Sequence, residues 1–169
     1  GWKEIDKVPK RSLLIRDLGY FYPKTFHDLQ EREIYYVSRA KSQWNIYLKD
    51  EKGYQRLTTI QIIEKLKAQK QKYLDLEVFV GEKFKAPMRL IANLLTDEQA
   101  QKRIKKKTDR GGKLGKDALE GSGLNLFVSN IEKDKCDAAS IYELYRLRWQ
   151  IELVFKAWKS IMNLHKIHT

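Results

Sequence analysis

Apolar residues along the chain fall into short runs whose period alternates between that of a strand and that of a helix. Ser12-Leu13-Leu14-Ile15-Arg16-Asp17 is a compact apolar run, introduced by Pro9 and closed by Asp17-Leu18-Gly19, and it predicts a strand. Pro23 and Thr25 then open a helical stretch from Lys24 to about Arg32, with Phe26 and Leu29 on one side. Glu33 to Arg39 is rich in aromatic and β-branched residues and predicts a second strand. Strand, helix, strand in so short a span is the rhythm of an α/β layer.

After Lys41 the pattern shortens. Asn45 to Lys49 and Tyr54 to Leu57 flank Asp50-Glu51-Lys52-Gly53, which predicts a β-hairpin with a Gly-containing turn. Thr58 or Thr59 is placed to cap a helix reaching about Lys70, with Ile60, Ile63 and Leu66 at helical spacing. Leu76 to Val80 and Met88 to Leu94 predict two more strands. Thr96 caps a further helix whose first turn, Asp97-Glu98, complements the helix dipole. That helix runs into a Gly-bearing loop that includes Gly111, Gly112, Gly115, Gly121 and Gly123. No internal repeat is visible.

Leu124 to Ile131 returns to strand character, and Ala138 to about Leu164 carries neither Pro nor Gly, so it predicts one long helix capped by Asp137 or Ser140. Two lines run along that helix. Leu144, Leu147, Ile151, Val154, Trp158 and Ile161 recur at steps of three and four, an apolar stripe fit for burial against a sheet. Tyr145, Arg148, Glu152 and Lys159 form a second line on another side, within a sector of about 60°. Taken alone, Arg148 and Glu152 make an ordinary i,i+4 ion pair worth about 0.2–0.5 kcal/mol. The full set suits phosphate chemistry better: a bidentate guanidinium, a point-charge ammonium, a neutral phenol donor and a carboxylate able to ligate a hard metal.

Composition narrows the function. The 169 residues hold 34 Lys plus Arg against 22 Asp plus Glu, a formal net charge of +12. Eight basic residues and one acid, Asp109, lie between Lys102 and Lys116, so the excess is concentrated as expected for a polyanion partner. A solvated helix end followed by a basic loop is the alternative for that stretch taken alone. The single cysteine, Cys136, excludes an intrachain disulfide and a cysteine-based zinc site, and the scattered His27, His165 and His168 do not make a histidine cage. No apolar run is long enough for a membrane span, and the start has no apolar leader. A reducing, cytoplasmic and DNA-associated setting is expected. Gly1 stands where an initiator Met would, which suggests a longer natural chain.

Tyr145-x-x-Arg148-x-x-x-Glu152-x-x-x-x-x-x-Lys159 resembles the Y-R-E-K signature of bacterial insertion-sequence transposases in the DDE superfamily. The surrounding Ile141 to Lys156, and Leu126-Phe127-Val128-Ser129-Asn130-Ile131 before it, are similar to that family throughout. Leu14 to Tyr20 followed by Tyr36-Val37-Ser38-Arg39 resembles the region of the family's second catalytic aspartate. The resemblance implies an α/β fold: a partial RNase H-like core, residues 1–41 and 124–169, interrupted by a mixed, strand-containing insertion domain at 42–123 that carries the basic loop. It further implies that Asp17 and Glu152 are the second and third acids of a D-D-E triad holding two Mg²⁺ (or Mn²⁺) ions. Tyr145, Arg148 and Lys159 would bind DNA phosphates near the cut. The implied reaction is metal-dependent phosphodiester hydrolysis and strand transfer in cut-and-paste transposition, on double-stranded DNA at element ends and target, by a self-associating protein. Lys102, Arg103, Lys105, Lys106, Lys107 and Arg110 are candidates for further DNA-backbone contact.

The chain departs from the family pattern in two places. The family's first aspartate lies on an earlier strand, and Asp6 beside Lys7, Val8 and Pro9 does not read as that strand. The expectation is therefore an internal fragment, inactive by itself. The family also stacks a tryptophan of the insertion on a flipped base, but Trp44 does not match that position and is expected in the hairpin core or at an interface instead. The competing readings are a non-catalytic basic nucleic-acid-binding domain and an RNase H-like nuclease; the complete motif spacing argues against the first and the long insertion against the second.

Overall fold

A computed structural model describes residues 5–16, 22–42, 44–109, 111, 115, 119 and 121–161. A short 3₁₀ turn, Ile5–Lys7, leads to β1 (Leu13–Arg16), α1 (Pro23–Glu31) and β2 (Tyr35–Arg39), and the two strands pair in parallel with Leu13 opposite Tyr35 and Arg16 opposite Ser38. Pro23 opens α1, where its missing N–H is not needed. β3 (Ile46–Asp50) and β4 (Gly53–Arg56) form the expected hairpin; Gly53 takes φ +106°, a conformation that penalises any Cβ, and Asp50 accepts the Lys52 N–H at 2.8 Å. α2 (Thr59–Gln69) and α3 (Asp97–Thr108) each begin with a capping box, Thr58 with Gln61 and Thr96 with Gln99. Between them lie β5 (Leu74–Val80) and β6 (Ala86–Leu94), and a 3₁₀ turn at Gly121–Gly123 then leads into β7 (Leu124–Ser129). α4 (Ala138–Ile161) completes the described chain, its first turn capped by Asp137, which accepts the Ser140 N–H at 2.8 Å. That bond holds the Asp137 carboxyl below the usual carboxylate range.

The seven strands form one mixed sheet in the order β1-β2-β7-β6-β5-β3-β4, parallel only at β1–β2. β7 comes late in the chain yet lies between β2 and β6, so a single sheet runs through strands from all three predicted segments. Alternation along the strands sends neighbouring residues to opposite faces. Tyr36, Leu90, Leu126 and Val128 join Phe26 and Leu29 of α1 and Ile62 and Leu66 of α2 in the larger core. Val37, Ile91 and Phe127 face the other way and meet Ile141 and Tyr145 of α4, with Ile15 packed alongside. Trp44 is half-buried on the larger core, edge-on to Phe26 at 5.8 Å.

One expectation is overturned. The apolar stripe of α4 does not bury against the sheet: Leu147, Ile151, Val154 and Trp158 are 47%, 55%, 57% and 60% exposed, and only Leu144 is half-buried. The side chain of Ile161 lies outside the described residues. The cause is at the start of the helix. Ala138, Ile141, Tyr142 and Tyr145 seat the first turns on Val37, Ile91 and Phe127. A stiff helix then carries its rotation forward, so Tyr145 and Arg148 are covered, Glu152 is half open, and the apolar line turns out.

Candidate functional site

The inward line of α4 is built on aromatic contact. The Tyr145 ring lies 4.9 Å from that of Phe127, and the Arg148 guanidinium sits 5.5 Å above the Tyr145 ring, within cation–π range. Arg148 Nη1 donates to Glu152 Oε1 at 2.5 Å, with the Arg148 side chain 18% and the Glu152 side chain 45% exposed. The ion pair expected from spacing therefore forms, on a partly desolvated floor where a charge-assisted bond is stronger than on open surface. A guanidinium held against a ring and beside a carboxylate can exchange that carboxylate for a phosphate oxygen without moving far. α4 lies across β1, β2 and β7. Lys159 belongs to α4, but its side chain lies outside the described residues, as does Asp17, which follows Arg16 in the chain.

The loop that delivers α4 is fixed from below. Arg89 of β6 makes a bidentate pair with Asp75 of β5, at 2.9 and 2.7 Å, and its remaining nitrogen donates to the carbonyls of Ile131 (2.9 Å) and Cys136 (2.6 Å). Lys133 donates to the Asp75 carbonyl at 3.0 Å. Sequence reasoning missed this bridge. Its signal was the one basic residue inside β6, Arg89, beside the acids Asp75 and Glu77 of β5, which meet only if the strands pair.

The basic candidates of α3 divide into two kinds. Lys105, Lys106 and Lys107 are exposed on the last turn, and Lys102 is exposed in an i,i+4 pair with Glu98 at 2.6 Å. Arg103 is turned inward. It donates to the Leu124 carbonyl and to Asn125 Oδ1, each at 2.7 Å, which ties α3 to the start of β7. Burial, with the neighbouring Arg39 adding to it, lowers the Arg103 pKa to about 10. Arg110, Lys113 and Lys116 lie outside the described residues.

Among the described residues, no group of three or more His, Cys, Asp or Glu side chains is placed to hold a metal ion. Glu152 is the described member of the expected pair of metal ligands. No helix of the described residues is long and apolar enough to cross a membrane.

Comparison with known proteins agrees with the motif. Over its whole length the chain is 32% identical to the transposase for insertion sequence element IS231F of Bacillus thuringiensis subsp. israelensis, of which it covers 39%. It is 28% identical, over 93% of its length, to the transposase for insertion sequence element IS1151 of Clostridium perfringens, of which it covers 37%. Over 46% of its length it is 38% identical to the putative transposase InsL for insertion sequence element IS186A of Escherichia coli (strain K12), of which it covers 22%. The chain thus spans well under half the length of these relatives. No solved structure matches it. Residues 2–169 match the family model described as Transposase DDE domain, and with that match beside the full-length similarity to insertion-sequence transposases, this chain belongs to the Transposase DDE domain family.

Proposed function

We propose that this chain is the part of an insertion-sequence transposase that carries the second and third catalytic acids, Asp17 and Glu152, and the phosphate-binding residues Tyr145, Arg148 and Lys159. The observation that carries the reading is the rotation of α4. It seats Tyr145 on Phe127, keeps Arg148 largely covered beside the half-open Glu152, and leaves a better apolar line outside. The parallel unit β1–α1–β2, followed by antiparallel β7 and by α4 lying back across all three strands, supports an RNase H-like core at 1–41 and 124–169 with an insertion at 42–123.

Hard carboxylate oxygens at Asp17 and Glu152 suit Mg²⁺ or Mn²⁺, and Glu152 is open enough to exchange Arg148 for an ion. Such ions activate water and stabilise the leaving oxygen in phosphodiester hydrolysis and strand transfer. Arg148, once released from Glu152, holds a DNA phosphate from its ring-backed position, with Tyr145 as a neutral donor and Lys159 as a point charge. The rest of the longer polypeptide supplies the first acid and the core strands that cover the exposed line of α4. The chain alone therefore binds DNA without cutting it. The working protein is cytoplasmic, DNA-associated and self-associating, and acts on double-stranded element ends and target.

A nicking assay in Mg²⁺ and in Mn²⁺ tests this, comparing the chain with a protein extended upstream to the length of its relatives. Cutting is expected only from the extended protein and should vanish on Glu152→Gln. Robust cutting by the 169-residue chain that survives Glu152→Gln would refute the assignment.

A further inference from the structure

Two clefts meet at a pair of like charges. The first, about 500 Å³, lies between α3 and α4 over Asn125 and Phe127, with Tyr142, Tyr145 and Trp149 along its wall. The second, about 610 Å³, opens on the other side and is lined by Lys41, Lys102, Lys106 and Lys107. Arg39, the last residue of β2, and Arg103 of α3 line both. Neither cleft is lined by an Asp or Glu among the described residues.

Such an arrangement is costly without a ligand. Adjacent guanidiniums in a half-buried site repel, and the cost is recovered when an anion lies between them. Arg103 cannot swing away, because the Leu124 carbonyl and Asn125 hold it. The Lys102–Glu98 pair nearby is fully solvated and yields readily to a phosphate. The charges are strung along two clefts in series, so a small anion touches one cleft only. A polyanion touches both.

We propose that Arg39 and Arg103 join the lysine face of α3 to the Tyr145 side of α4 as one continuous track for the phosphodiester backbone of DNA. Arg39 and Lys41 thereby become DNA-contact residues alongside those the family signature supplies. The inference rests on the proposed DNA-binding function, but it concerns the path of the DNA and not the chemistry. Arg103 also holds α3 in place, so Arg39 is the residue to vary.

The test is fluorescence anisotropy with a labelled duplex of random sequence, titrated across a range of salt. Arg39→Gln should weaken binding about three- to ten-fold and reduce the slope of log K against log salt by about 0.9, the value for one phosphate contact. Arg39→Lys should keep the slope. Lys102→Gln, Lys106→Gln and Lys107→Gln together should remove a further 0.9 or so for each cation in contact. Circular dichroism and the thermal midpoint confirm that each variant is folded. A wild-type slope for folded Arg39→Gln, with the triple lysine variant impaired, would overturn the track while leaving the nuclease reading intact. Equal displacement of the duplex by millimolar inorganic phosphate would show a discrete anion pocket and would also overturn it. A failed nicking test with the Arg39 slope change present would remove the catalytic reading and leave the track standing.

Discussion

The two halves of α4 follow opposite rules. From Ala138 to Tyr145 the helix is seated, with Ile141 fully buried and Tyr145 nearly so between strands β2, β6 and β7. From Leu147 to Trp158 its most hydrophobic residues face outward, Trp149 and Phe155 among them. Both halves are amphipathic by sequence. Their difference teaches that a periodic apolar line marks a face to be covered but does not name the cover. In the first half the sheet is the cover. In the second half nothing among the described residues covers the apolar line, and Arg148 is the better-covered side chain.

The contrast is broken most severely from underneath. Arg89→Ala removes the side chain that ties β5 and β6 to the carbonyls of Ile131 and Cys136 ahead of α4, leaving the Lys133–Asp75 contact as a weaker link. Asp75, only 18% exposed at its side chain, would be left with Lys133 at 3.8 Å as its cationic neighbour. Breaking a buried pair by removing one partner costs about 3–5 kcal/mol, and that is the loss expected here in urea denaturation. A loss below about 1 kcal/mol would mean that the seat of α4 does not depend on this bridge.

The two halves can also be compared residue for residue. Ile141→Ala should cost about 2–5 kcal/mol, because it opens a cavity against Phe127 and Val37. Ile151→Ala, at 55% exposure, should change stability by less than about 0.5 kcal/mol in this chain. In a protein extended to the length of its relatives, the cost of Ile151→Ala should rise toward that of a core position. Equal effects in the short and long proteins would show that the outer line stays uncovered.

Much of the fold was legible in the sequence. Thr58, one of the two expected caps, and Thr96 cap their helices, and each predicted strand and helix is present within a few residues. Local chemistry decides caps and turns, so local sequence reveals them. The insertion of β7 between β2 and β6 was not legible, since strand order is set by contacts between distant segments. The rotation of α4 was hidden for a related reason: it depends on Phe127, Val37 and Ile91 meeting Ile141, all remote from the residues they orient. The motif itself was fully visible as Tyr145, Arg148, Glu152 and Lys159. Arg39, Trp149 and the Asp75–Arg89 bridge lacked any such spacing, because each acquires its place only when the sheet is assembled.

The smallest expected effect is the most informative about Glu152. The described contact of its carboxylate is the i,i+4 pair with Arg148, so Glu152→Gln removes that pair and little else from the fold. A pair with one partner at 45% exposure is worth only a few tenths of a kcal/mol, and Gln still accepts a hydrogen bond from the guanidinium. The stability change should therefore stay within about 0.5 kcal/mol, and the near-UV signal from Tyr145 and Trp149 should be unaltered. Against that near-silent background, loss of cutting in the extended protein would be an effect on the chemistry of the site and not on its folding. A destabilisation of 2 kcal/mol or so would reverse the conclusion, because it would place Glu152 among the groups that hold the inner line of α4 together.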